Sequence, residues 1–252
     1  MNSKTNAPLR VLVVGAGSAI AAAVARRYAA RGARLCLAAR DPRQLEDAAA
    51  DLRVRGAAQV EQARFEALDT ASHAAFVAAA WELWQGFDVA LVAHGVLPDQ
   101  AAAQRSAAQA LESFDVNARS MVSVLTELAN RFEQQGSGVL AAVSSPAGDR
   151  GRASNYVYGA AKAVVTNFCS GLRHRLHARG VRVVTVLPGF VDTPMTAAFR
   201  KGPLWARPEK VARDIERALD RANGEVYTPG FWRWIMLVVR HLPNALFLRS
   251  KL

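Results

Sequence analysis

The chain has 252 residues, 51% of them hydrophobic and 21% charged, with a formal net charge of +11. That balance supports a substantial core, excludes disorder beyond the termini and, with no Pro/Gly/Ser-rich linker, points to one α/β domain over residues 1–252. The basic surplus would attract phosphates, but Arg26, Arg27, Arg31, Arg53 and Arg55 are scattered along alanine-rich helices with no aromatic-interleaved basic stretch, so no nucleic-acid partner is expected.

Apolar runs alternate with helical patterns along the chain. Leu9 to Val14 reads as a strand, Ile20 to Arg31 as a helix, Leu35 to Ala39 as a strand and Gln44 to Val54 as a helix. Further strands are expected near Val60 to Phe65, Val89 to Ala93, Val139 to Val143, Val181 to Leu187 and Glu225 to Tyr227, with long helices at Leu111 to Phe132 and Tyr156 to His177. Continuous rather than alternating hydrophobicity implies a parallel sheet covered on both faces. About seven strands with helices on both faces make a Rossmann-like doubly wound fold, whose ligands bind at the carboxyl ends of the strands. Cys36 and Cys169 sit in apolar periodic segments without metal-ligand spacing, so they read as core residues of a reduced compartment, and no metal site is expected. Met1 to Arg10 has no apolar stretch between its basic residues, which predicts no secretory leader and a cytoplasmic location.

The first strand leads into Gly15-Ala16-Gly17-Ser18-Ala19-Ile20-Ala21, a tight turn into a helix whose free N–H groups can hold a pyrophosphate. It departs from the G-x-G-x-x-G spacing and is a weak signal alone. The second strand ends in Ala39 and Arg40, where a carboxylate would suit the free ribose of NAD; arginine suits a 2′-phosphate instead and favours NADP(H). The competing role for Arg40 is a pair with Asp41 or a cap on the sheet edge. Asp69, past the third strand, reads either as an acceptor for an adenine amino group or as a helix N-cap.

Tyr158 and Lys162 stand four apart on one predicted helix and share a face, so the ammonium favours the ionised phenol and lowers its pKa. Tyr156 has Ala160 at the equivalent position and no such cation. Ser145 lies thirteen residues ahead of Tyr158, next to Ser144.

On the turn, Ser145, Tyr158 and Lys162, the chain resembles the short-chain dehydrogenase/reductase family over about residues 9 to 230. The resemblance implies that Ser145, Tyr158 and Lys162 are catalytic, that Asn117 in Phe114-Asp115-Val116-Asn117 holds a water in the proton relay, and that Pro188, Gly189, Val191 and Thr193 touch the nicotinamide. It selects Ser145 over Ser144 by the family's thirteen-residue gap. Its implied chemistry is carbonyl reduction by NADPH, with a homodimer or homotetramer as the usual assembly. Two departures stand out. Ala19 and Ala21 occupy the family's second and third glycine positions, and its asparagine-rich segment after the fourth strand is here Val92-Ala93-His94-Gly95. His94 and Gly95 are still expected along the cofactor, with a structural role for His94 ahead of a catalytic one. These departures, with Gly95 to Gln100 and Tyr227 to Trp232, resemble a branch that includes reductases of decaprenylphosphoryl-2-keto-pentose, which implies a lipid-linked or phosphorylated keto-sugar substrate. The alternative is a regulatory protein that binds NADP(H) without turnover.

Beyond the core, residues 231–252 form an apolar, aromatic and basic segment that is too interrupted by Arg233, Arg240 and Pro243 to span a bilayer. Arg233 and Arg240 are seven apart and share a helical face. Two uses stand level: a cover for the substrate pocket that rests on a membrane surface, and a subunit interface. The stretch from Phe190 to Arg207, with Met195, Phe199, Lys201 and Trp205, is the expected substrate lid.

Overall fold

The computed structural model describes residues 7–250. Strands whose central residues are apolar on both faces must be covered twice, and the sheet is built accordingly in its inner part. Its strands are β1 (Arg10–Val14), β2 (Arg34–Ala39), β3 (Gln59–Arg64), β4 (Val89–Val92), β5 (Gly138–Val143), β6 (Val181–Pro188) and β7 (Gly224–Thr228). They are all parallel, in the order β3-β2-β1-β4-β5-β6-β7. Central β4 is buried at every residue, whereas edge strand β3 alternates and exposes Gln59, Gln62 and Arg64.

The helices are α1 (Ala19–Ala29), α2 (Pro42–Val54), α3 (His73–Glu82), α4 (Gln100–Ala103), α5 (Ala107–Phe114), α6 (Ser120–Gln135), α7 (Tyr156–His177), α8 (Pro208–Arg221), α9 (Trp232–His241) and α10 (Asn244–Phe247). One core packs α1, α2 and α8 on a face of the sheet through Val24, Tyr28, Leu45 and Ile215. The other packs α3, α6 and α7 on the opposite face through Val77, Leu125, Phe132 and Val165, and it contains both cysteines as buried free thiols.

Two expectations change. The single helix expected from Leu111 to Phe132 is interrupted by a π-helical turn at Asp115–Arg119. Asn117 explains the break, because its side-chain amide donates to the Ser113 carbonyl at 2.9 Å, a carbonyl that regular α geometry would assign to the Asn117 backbone. The arginines read as solvated faces are also structural. Arg26 on α1 reaches Asp51 on α2 at 2.8 Å, and Arg31 reaches Glu216 and Asp220 on α8, with Arg27 also on Glu216. Arg55 shares Asp51. Charge thus ties α1 to both of its neighbours.

The chain leaves β1 toward β2 and β3, then crosses back to β4 on the other side of β1. That reversal opens a crevice beyond the carboxyl ends of β1 and β4.

Candidate active site

At the β1 end, Gly15 adopts φ +83°, and a Cβ there would lie 2.5 Å from the His94 backbone nitrogen. Only glycine lets the two strand ends approach this closely. The turn closes with Ser18 N–H donating to Gly15 O, and the Ser18 side chain makes no cap bond to α1. Among the described residues, the amides of Ala19 and Ile20 find no acceptor, and the first turn of α1 carries no acidic residue. Three features therefore fit a pyrophosphate: open amides, the positive end of a helix and no competing carboxylate.

Past β2, Asp41 spends its carboxylate on capping α2, accepting from the Arg43 and Gln44 amides. Arg40 is exposed and, among the described residues, pairs with no carboxylate. The pairing with Asp41 does not form. Asp69 occupies the N-cap position of a short 3₁₀ turn (Thr70–Ser72), yet its side chain makes no capping bond and stays exposed.

Past β4, His94 Nε2 lies 2.7 Å from Ser120 Oγ. That hydroxyl donates its one hydrogen to Val116 O, so the imidazole must donate from Nε2 and keep Nδ1 bare. The ring lies against Phe65 at 5.1 Å, and burial first, then Lys162 and His73, pushes its pKa down to about 3. A neutral His94 is a packing residue, tied to α6 rather than aimed at chemistry. The backbone after β4 is tied instead by Asn117, whose side chain accepts from Val96 N at 3.0 Å and donates to Val96 O at 2.9 Å. With a further donation to Ser113, both amide hydrogens of Asn117 are used.

The β5 end resolves the serine pair. Ser144 is buried and committed, donating to Lys162 O at 2.9 Å and lying 2.7 Å from Thr166 Oγ1. Ser145 is partly exposed; its Oγ accepts from Ala147 N at 3.1 Å, which leaves the hydroxyl hydrogen to point toward Tyr158 or a ligand. Glycines hold α7 tight against this loop: a Cβ at Gly159 would lie 2.7 Å from Ala147 O, and one at Gly148 would lie 2.6 Å from Ala163 N.

Lys162 is 3% exposed and donates to Val143 O at 3.0 Å, its one partner among the described residues. A Cβ at Gly95 would lie 2.7 Å from Asn117 Oδ1 and 3.5 Å from Lys162 Nζ, so Gly95, Asn117 and Lys162 meet at one point. Burial pushes the Lys162 ammonium down to about 8. Two of its hydrogens remain for acceptors such as a ribose diol presents.

Tyr158 sits one turn away, with Lys162 Nζ 5.6 Å from its ring centre. An edge stays accessible, but burial pushes the phenol up to about 12, with the Ser145 hydroxyl pulling the other way. This corrects the expected lowering by Lys162: both groups lose solvation together, and burial sets the direction for the phenol, with Ser145 and not Lys162 as the opposing group.

Past β6, Pro188 is buried and Gly189 N donates to Thr228 O at 3.0 Å. The Trp232 indole lies directly on Gly189, where a Cβ would fall 1.9 Å from Nε1. Val191 and Ala206 form an isolated bridge at the base of the lid, and Phe190 stacks on Trp205 at 5.3 Å and abuts Trp232 edge-on at 5.1 Å. Asp192 pairs with Lys201, and Thr193 N donates to Thr196 Oγ1 at 3.1 Å. Sequence reasoning missed Arg150 as a neighbour of the site, since it carries no local motif and matters through contacts with the C-terminal segment; Trp232 was named in that segment, but its contact with Gly189 was not foreseen.

A parallel sheet with its switch point at a glycine turn, and a serine, tyrosine and lysine gathered beyond β5, define a dinucleotide-dependent oxidoreductase of one lineage. Residues 10–203 match the family model for short chain dehydrogenases, and the chain belongs to this family of oxidoreductases. It is 41% identical over 239 residues to an uncharacterized oxidoreductase of Mycobacterium tuberculosis, covering 95% of this chain and 96% of that one. It is 38% identical over 243 residues to an uncharacterized oxidoreductase of Streptomyces coelicolor, covering 96% of each. An actinorhodin polyketide ketoreductase solved with NADPH shares the fold with a TM-score of 0.79 at 22% identity, covering 89% of this chain and 97% of that one.

Proposed function

We propose that this protein is an NADP(H)-dependent reductase that converts a ketone to a secondary alcohol, with Tyr158 as the acid. The observation that carries the reading is Tyr158 held neutral beside the Ser145 hydroxyl, which still has its hydrogen to donate, and one turn from Lys162 with two unused donors. The amides of Ala19 and Ile20, with Gly15, Gly17 and Ser18 shaping the turn, would hold the pyrophosphate. Arg40 would take the 2′-phosphate, and Asp69 would accept from the adenine amino group. Gly95 leaves room beside Lys162, and Pro188, Gly189, Val191 and Thr193 would border the nicotinamide. Bound NADPH supplies the hydride.

The residues do the rest. Ser145 donates to the carbonyl oxygen as negative charge develops there, and Tyr158 delivers the proton. A phenol with a pKa near 12 keeps that proton at neutral pH and releases it only to a stronger base, such as a nascent alkoxide. The accessible edge of Tyr158 lets water restore the proton. Lys162 orients the ribose and, while charged, stabilises the transient phenolate. Asn117 keeps the loop after β4 at the distance Lys162 requires; with its amide hydrogens committed to backbone carbonyls, it would hold a relay water through an oxygen acceptor.

The narrower part of the proposal is the substrate: a ketone carried on an apolar or phosphorylated molecule, of the lipid-linked keto-sugar kind. In support, the lid and the C-terminal segment expose Met195, Phe199, Leu204, Trp234 and Val238. Residues 193–207 and 229–250 contain no Asp or Glu, and Arg200, Lys201, Arg233 and Arg240 lie among them. Among the described residues, no helix is long and apolar enough to cross a membrane, so an anionic membrane would be met at its surface. Turnover of NADPH against ketones by wild type and Tyr158→Phe tests the reading. A Phe variant with wild-type turnover would remove Tyr158 from its role, and tight NADPH binding without any turnover would favour the regulatory alternative.

A further inference from the structure

Arg150, five residues past Ser145, has no carboxylate within ion-pair distance among the described residues. Its guanidinium instead donates from Nη1 to Val239 O at 2.7 Å and Leu242 O at 2.6 Å, and from Nη2 to Asn244 Oδ1 at 2.8 Å. It also covers the Phe247 ring at 3.8 Å from the centroid. The carbonyls it takes belong to the end of α9, where Pro243 follows and no backbone amide closes the helix among the described residues. A cation at the negative end of a helix, supplied from another part of the chain, replaces the missing cap. Next to it, Tyr227 OH donates to Asp149 Oδ2 at 2.8 Å, a carboxyl whose pKa burial raises. The Ser145 loop is therefore fastened twice, to β7 and to the C-terminal segment. At its other end α9 lays Trp232 on Gly189 and against Phe190, in the loop proposed to border the nicotinamide.

We propose that Arg150 is a positioning residue: it clamps residues 239–247 to the Ser145 loop, and the C-terminal segment thereby ties that loop to the Pro188–Thr193 loop. The segment is then part of the active-site frame. The consequence for turnover rests on the reductase reading above; the mechanical coupling does not.

The test uses the full chain with Arg150→Met, which keeps the length of the side chain and removes its donors, and Arg150→Lys, whose single ammonium cannot span three acceptors. Amide hydrogen exchange is followed at residues 145–151 and 239–247, alongside NADPH affinity and steady-state kinetics. The expected result is faster exchange, by on the order of 10-fold, in both segments together. With it, kcat falls by about 10-fold to 100-fold, as a displaced loop demands, NADPH affinity stays within about 2-fold, and Lys does not rescue. Should Arg150→Met fold poorly, Asn244→Ala with Phe247→Leu opens the same clamp from the far side and must give the same paired exchange. Loosening of 239–247 with 145–151 unchanged would overturn the proposal, as would an unchanged kcat after both had loosened. If wild-type protein reduces no ketone, the reductase reading fails while the exchange result still decides the coupling.

Discussion

Tyr158 and Lys162 show how burial sets the roles of two side chains whose spacing alone pointed the other way. The phenol rises to about 12 and the ammonium falls to about 8, so near neutral pH both carry a proton. Replacing Tyr158 by Phe should lower kcat by about 10²-fold to 10⁴-fold, the range for losing a placed general acid, with NADPH affinity little changed. Lys162 gives the pH dependence. It is charged below about 8 in the free protein, so kcat/KM for NADPH should be flat near neutrality and decline as pH rises through about 8. In Lys162→Arg the decline should vanish; a decline in both proteins at the same pH would assign it to another group. The sign for folding is parallel: a lysine with its pKa lowered from 10.5 costs stability while protonated, and that cost is relieved as pH rises from about 8 toward 10.5. Arg40 tests cofactor choice. Arg40→Ser should cut the preference for NADPH over NADH by about 10-fold to 100-fold, the worth of a charge-assisted contact to phosphate.

At the scale of elements, the inner strands were legible because their hydrophobicity is nearly continuous, and α7 falls where its pattern placed it, at Tyr156–His177. The π-helical turn was not legible, since it follows from a side-chain amide meeting a carbonyl four residues back, which no periodicity encodes. The two serines could be separated only by spacing until their hydrogen bonds showed Ser144 committed and Ser145 open. The junction of α9 with the loop after β6 was hidden for a similar reason: Gly189 looks like any turn glycine until Trp232 is seen lying on it. Gly189→Ala would drive a methyl group into the indole. It should lower Tm by several degrees, an overpacking cost of about 1–3 kcal/mol, and weaken NADPH binding. Trp232→Leu added to Gly189→Ala should recover part of both losses; additive losses in the double variant would place the strain elsewhere.

Across the whole molecule, some basic residues are spent on ion pairs that join α1 to α2 and α8, while others lie on the lid and C-terminal segment, where residues 193–207 and 229–250 carry no Asp or Glu. Composition could not separate these uses, because the partners of Arg26, Arg27 and Arg31 are remote in sequence. On α9, Trp232, Met236 and Val239 turn inward while Trp234, at 66% exposed, Leu237 and Val238 turn outward. An outward apolar face ringed by arginine suits an anionic bilayer surface. Full-length protein should float with anionic vesicles and not with neutral ones, and Trp234→Ser with Val238→Ser should abolish flotation without lowering Tm. A stable dimer or tetramer that does not float would instead assign this face to a second copy of the chain.

The most direct test of the reductase reading is NADPH oxidation by purified protein with a panel of ketones that includes a phosphoprenyl keto-sugar, run in parallel with Tyr158→Phe and with NADH. The expected result is ketone-dependent turnover that prefers NADPH and is lost in the Phe variant. NADPH bound tightly with no ketone reduced, or equal turnover by the two proteins, would contradict it.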